Sequence, residues 1–263
     1  MKTLRAFLTL TFLSFRRLFW SLGTLMIVFP LVASGLFLGW RIRMLRRALS
    51  GASELVAVQE FNTISEFLLG VFASFLVPLC ALAFGTAGLA GDREDRTLLF
   101  LLVRPLPRGL ILAAKFLASL PLVLAFSCGS FWIYCRLAGA AGAAAYDAFL
   151  PAIVYMSIAY AALFLLFSVW FRHPAIMALL YAAFMEALLG NIAGIIKRVA
   201  INYYGRSLMY DAGVEYGLAA PEARTFDPIA PADARVALLT ITLAALALAW
   251  LIFSTRDYEE QPK

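Results

Sequence analysis

The sequence predicts an all-α integral membrane protein: six transmembrane helices, an amphipathic helix ahead of the first, and a short, densely charged segment between the second and third. Three observations carry this. Of 263 residues, 63% are hydrophobic and 14% charged, with a mean hydropathy of +0.87; soluble domains hold roughly 45–50% and about 25%. Six apolar runs, about 18–40, 67–90, 111–135, 148–171, 175–196 and 236–254, approach the ~20 residues that a helix needs to cross a bilayer core. The charges cluster beside and between those runs, as they do where chain leaves lipid. The whole of 1–263 reads as a single transmembrane domain, with no stretch left for a separate soluble catalytic domain.

The first element, residues 2–17, places Lys2, Arg5, Thr9 and Arg16 along one helical stripe and Leu4, Phe7, Leu8, Phe12 and Phe15 over the rest. That suits a helix lying in the interface with its basic stripe toward head groups; the alternative is a slow start to the first span. A cleaved leader is not expected, because Arg16 and Arg17 interrupt the apolar run and no small-residue cleavage site follows.

Between the spans, residues 41–66 carry "RIRMLRR" and then Glu54, Glu60 and Glu66. Residues 136–147 read as a Gly/Ala-rich link, and Arg172, His173 and Pro174 as a tight turn. The longest connection, 197–235, mixes both charges with Tyr203, Tyr204, Tyr210 and Tyr216, which suggests a folded cap with short helices. Pro78 and Pro121 are expected to kink spans two and three.

Six spans put both termini on one side, but charge alone does not say which. With the N-terminus inside, twelve of the 22 Lys and Arg fall on the cytoplasmic side (Lys2, Arg5, Arg16, Arg17, Arg93, Arg96, Arg104, Arg108, Lys115, Arg172, Arg256 and Lys263). "RIRMLRR" votes the other way.

The net charge of +6 and pI near 9.4 do not point to nucleic acid, since the basic residues flank apolar runs. Cys80, Cys128 and Cys135 fall inside spans and read as small apolar residues. A single histidine, His173, makes no metal cluster. No GxxxxGK[ST] phosphate loop and no Gly-x-Ser-x-Gly elbow occur.

The stretch "GDREDRTLLFLLVRPLPRG", 91–109, concentrates scarce charge in one place. Physically it is either a solvated hairpin or a docking surface where complementary charges fix register. Its order of residues resembles the permease subunits of type-two ABC exporters, on Glu94, Thr97, Leu101, Leu102, Arg104, Pro105, Arg108 and Lys115, most sharply over about 84–120. The resemblance implies that 91–110 is a cytoplasmic coupling helix seated in a separate ATP-binding ABC subunit, with Asp92, Glu94, Asp95, Arg96, Thr97, Arg104 and Arg108 as the contacting set. Asp92, Glu94 and Asp95 would begin that helix at its positive dipole end, and Pro105 and Pro107 would end it.

The resemblance further implies that both termini are cytoplasmic, in a multi-pass protein of the inner (cytoplasmic) membrane, and that 197–235 is an extracytoplasmic cap. It implies a second permease copy or paralogue, with ATP and magnesium held by the partner and no cofactor in this chain. Within the fifth expected span, Glu186 is an acid at costly depth, either lining a pathway or packed near Asn191, and Gly190 and Gly194 form a close-approach face. Lys115 is expected to snorkel to the interface. The function implied is export of a lipophilic or amphipathic substrate, driven by ATP hydrolysis elsewhere. The alternatives are an intramembrane enzyme such as a membrane-embedded hydrolase, or a permease-like subunit in mechanical or cofactor-delivery work.

Overall fold

A computed structural model describes residues 2–48, 53–94, 107–184, 198–218 and 226–256. Among them every regular element is helical. In chain order these are α1 (Lys2–Phe19), α2 (Leu22–Ala48), α3 (Ser53–Phe67), a π-helical stretch (Leu68–Leu76), α4 (Val77–Gly85), α5 (Ala87–Glu94), α6 (Arg108–Ala138), α7 (Ala140–Trp170), α8 (Pro174–Tyr181), α9 (Ile201–Val214) and α10 (Pro231–Thr255).

Five described helical runs are long and apolar enough to cross a membrane: Gly23–Ala48, Val58–Arg93, Arg108–Ala138, Ala140–Trp170 and Pro231–Thr255. They overlap expected spans one to four and six. Of the expected fifth span, the described part is a shorter apolar helix, Pro174–Phe184, and 185–196 lies outside the described residues.

The helices overrun the expected boundaries. Both α6 and α7 are 31 residues long, about 46 Å at 1.5 Å per residue against a core of ~30 Å. The link expected over 136–147 shrinks to Gly139, which at φ +72° is the one residue between them. Alanine is the strongest helix former, so an Ala-rich segment extends a helix, and the reversal falls on the glycine that tolerates positive φ. In the same way α2 continues through "RIRMLRR" to Ala48, and α3 starts at Ser53, where a connection was expected.

Pro78 does not act alone. Its ring cannot donate to the preceding turn, and that turn widens: the Val77 N–H bonds the carbonyl of Phe72, five residues back. The Ser74 hydroxyl donates to the Leu69 carbonyl at 3.0 Å. Pro121, Pro30 and Pro151 sit inside helices that continue past them.

The core forms around α7, the most enclosed span. Its Phe149, Met156, Tyr160 and Phe164 are fully buried, with Phe72, Phe131 and Phe84 from neighbouring helices. Small residues let the helices close: a Cβ at Gly85 would stand 3.1 Å from Phe164, and Gly205 of α9 lies directly over Met156. The outer faces of α2 and α10 expose Leu25, Met26, Phe29, Leu243 and Trp250, as lipid-facing helices do.

Of the connection expected as a cap, 197–235, residues 198–218 and 226–235 are described. The buried Tyr203 packs on Phe226 and donates to the Asp227 carbonyl at 2.8 Å, and Arg206 lies 4.7 Å over the Phe226 ring. Asn202 donates to Ser74 at 2.7 Å and so fastens the cap to the π-helical stretch.

At the same end of the bundle, Arg46 makes a two-point contact with Glu60 at 2.6 and 3.1 Å and reaches the Ala138 carbonyl at 3.2 Å. One guanidinium thereby joins α2, α3 and the end of α6.

Candidate functional site

The opposite end of the bundle holds a dense polar cluster, built where α5 ends, α6 begins and α1 crosses over them. Asp92 lies in the last turn of α5 and is 3% exposed. Arg17 of α1 approaches one carboxylate oxygen to 2.6 Å, and Lys115 of α6 approaches the other to 2.5 Å. The Lys115 ammonium also donates to Ser14 at 3.0 Å. One buried acid therefore binds three helices through two cations.

Asp92 and Glu94 fall in the last described turn of α5, and residues 95–106 of the expected coupling helix lie outside the described residues. A carboxylate so deeply buried is disfavoured without counter-charge. Arg17 and Lys115 supply the compensation for Asp92.

Lys115 likewise departs from the snorkelling expectation: its side chain is 4% exposed. With α1 covering this part of α6 and a carboxylate within reach, the ammonium pairs inward where a lone span lysine would run out to head groups.

Three arginines finish the cluster by capping helix C-termini. Arg93 donates to the carbonyls of Val169 at 3.0 Å and Phe171 at 2.9 Å. Arg256 donates to Val169 at 3.1 Å and Trp170 at 2.8 Å. Arg108 donates to Ser254 at 3.1 Å and Arg256 at 3.0 Å. The last carbonyls of α7 and α10 have no partner within their own helices, and cations there also favour the dipole.

Gly109, next to Arg108, packs so closely on Trp250 of α10 that a Cβ would stand 2.5 Å from its indole nitrogen. Pro107, extended at ψ 136°, starts α6 and accepts the Leu110 N–H at 2.9 Å.

Of the expected partner-contacting residues, Asp92 and Arg108 are thus engaged inside the chain. The side chain of Glu94, and Asp95, Arg96, Thr97 and Arg104 altogether, lie outside the described residues. So do Glu186, Gly190, Asn191 and Gly194. The structure adds Ser14, Arg17, Arg93 and Arg256 to the site. Spacing gave one usable signal for them: Ser14 and Arg17 lie three apart, on one face of α1.

Chemically, the cluster is a set of paired charges and caps. Among the described residues no group of three His, Cys, Asp or Glu is placed to hold a metal ion. Arg93 and Arg108, which flank residues 95–106 in the sequence, are bonded to the ends of α7 and α10.

Search of the curated proteins gives no match. The family model described as ABC-2 family transporter protein matches residues 14–258, nearly the full length. A match of that extent, over a helical bundle with several membrane-crossing helices and a polar cluster at the base of the charged segment, places the chain in the ABC-2 transporter family, as a multi-pass permease subunit of an ABC transporter.

Proposed function

We propose that this permease belongs to an ATP-driven exporter in the inner membrane, with both termini cytoplasmic and the cap of 197–235 outside. ABC-2 permeases work with an ABC ATP-binding partner, and 91–110 is the segment that partner grips. Glu94, Asp95, Arg96, Thr97 and Arg104 make the contacts. Asp92 and Arg108 hold the base of the segment, and ATP and magnesium stay in the partner. A second permease copy or paralogue completes the pathway, lined near its midplane by Glu186 and Asn191 with Gly190 and Gly194 at the close helix approach. The cargo is lipophilic or amphipathic, in keeping with so apolar a chain.

The supporting observation is that Arg93 and Arg108, near the two ends of the segment, are bonded to the C-termini of α7 and α10. Movement of the segment is delivered directly to those two helices, and α7 is the centre of the core. Differential contacts of that kind bias one bundle arrangement over another when the ATPase changes state.

Co-expression with the cognate ATP-binding subunit tests this. Glu94→Ala with Arg96→Ala removes the ATPase from the purified complex and leaves the permease folded. Retention of a full complement of ATPase by that variant rejects the assignment of 91–110. A purified chain that retains no ATPase and cleaves a membrane substrate unaided rejects the exporter reading altogether.

A further inference from the structure

A groove of about 480 Å³ runs along the outside of the bundle between α2 and α6. Val28, Val32 and Leu36 form one wall, and Phe126, Ile133 and Leu137 the other. Its floor includes Gly35 and Gly129, and nothing stands within 4 Å of a Cβ built at Gly129. The polar group at its base is already engaged: the Tyr134 hydroxyl donates to the Leu31 carbonyl at 2.7 Å and lies 2.7 Å from the Ser34 hydroxyl. Ser130, which also lines it, donates to the Phe126 carbonyl at 2.6 Å, and the other lining residues are apolar.

Length and position narrow the occupant. From Val28 to Leu36 and from Phe126 to Leu137 the walls run about 12–16 Å, half the ~30 Å hydrocarbon core. The groove therefore spans one leaflet, on the side of the bundle away from Asp92.

Its outer mouth is cationic and aromatic. Arg43 stands seven residues beyond Leu36 on the same stripe of α2, past Gly39, whose Cβ position is also open. Arg136 lies in the last turn of the other wall, beside Leu137, with its guanidinium 5.8 Å from the Trp132 ring. Arg43 and Arg136 are exposed, and Trp40 and Trp132 are about half-exposed beside them, the residues that sit at head-group level.

The geometry points to a binding site for one anionic phospholipid, its acyl chain in the α2–α6 groove and its phosphate between Arg43 and Arg136. The charge at the mouth complements a phosphodiester, while the apolar, single-leaflet groove suits a chain and offers a polar ligand nothing. This is a resident lipid and not the cargo, so it stands or falls separately from the exporter reading. It also bears on "RIRMLRR" voting against the positive-inside orientation, because Arg43 has a lipid partner and Arg46 is paired with Glu60.

The test is lipid retention by the full chain, purified in mild detergent, exposed to phosphatidylglycerol or phosphatidylcholine and read by native mass spectrometry. About one phosphatidylglycerol stays bound per chain, with about tenfold preference over phosphatidylcholine. Gly129→Leu fills the groove and reduces retention to background with an unchanged melting midpoint. Arg43→Gln with Arg136→Gln keeps a bound lipid and loses the tenfold preference; as a surface variant it decides the matter if Gly129→Leu does not fold. Equal retention of the two lipids by the parent protein overturns the proposal, as does undiminished retention by folded Gly129→Leu. Efficient cross-linking between two copies through Gly129→Cys in proteoliposomes also overturns it, by giving the groove to a second copy of the chain.

Discussion

The Asp92 carboxylate and the Lys115 ammonium are 2.5 Å apart, each side chain 4% exposed, across the contact between α5 and α6. A buried pair of this kind contributes little over an apolar replacement, but removing one member leaves an uncompensated charge. Asp92→Asn, which leaves the buried Lys115 ammonium without its counter-ion, therefore costs about 3–5 kcal/mol. Asp92→Asn with Lys115→Met recovers most of the loss. Thermal unfolding in detergent, run as a double-mutant cycle, measures both values, and additive single losses would mean that the two groups are energetically independent.

Arg93 and Arg108 each hold two helix-terminal carbonyls, so their removal acts locally. Arg108→Ala frays the last turn of α10, and Arg93→Ala that of α7, at about 1–2 kcal/mol each. Hydrogen exchange separates the two: the amide of Arg256, bonded to Ile252, exchanges faster in the first variant, and that of Phe171, bonded to Phe167, in the second. If the segment transmits force through these caps, both variants also lower transport per ATP hydrolysed while the ATPase remains bound.

At the other end, Arg46 depends on geometry more than charge. Its Nε and Nη2 meet both oxygens of Glu60 while Nη2 also reaches Ala138. Arg46→Lys keeps the charge and loses the fork, so it recovers less than half of the stability lost in Arg46→Ala. Melting midpoints of the two variants decide it, and full recovery by lysine would show that charge alone suffices.

Gly139 is where α6 turns into α7. Gly139→Ala forces a β-carbon into a positive-φ conformation and destabilises by about 1–2 kcal/mol. Gly88→Ala, in helical backbone with open space around the added carbon, stabilises by about 0.5–1 kcal/mol. Opposite shifts in the melting midpoint check the pair.

Much of this architecture is legible in the sequence, because spans are written in composition: runs of apolar residues have no other use at such length. The family was legible too, in the order of residues from Glu94 to Lys115. Helix ends were harder. Residues 136–147 look like a linker to an eye trained on bilayer thickness, while their alanines favour continued helix.

The polar cluster was hardest. Whether Lys115 pairs inward or runs to head groups depends on the rotation of α6 against α1 and α5, which no local pattern records. Arg93 and Arg256 meet at Val169 although they are 163 positions apart in the chain. Their shared target is a backbone carbonyl, which carries no sequence signature.

The widened turn ahead of Pro78 has a consequence for phase. A π turn holds one residue more than an α turn, so everything after Leu76 is rotated by about 100° relative to an unbroken helix from Ser53. That offset sets the azimuth at which Asp92 emerges, about four and a half turns of helix further on. Deleting one residue from 68–76 would restore regular winding and swing the carboxylate away from Lys115 and Arg17. The small irregularity beneath the cap is in this sense the timing mark for the charges at the opposite membrane face.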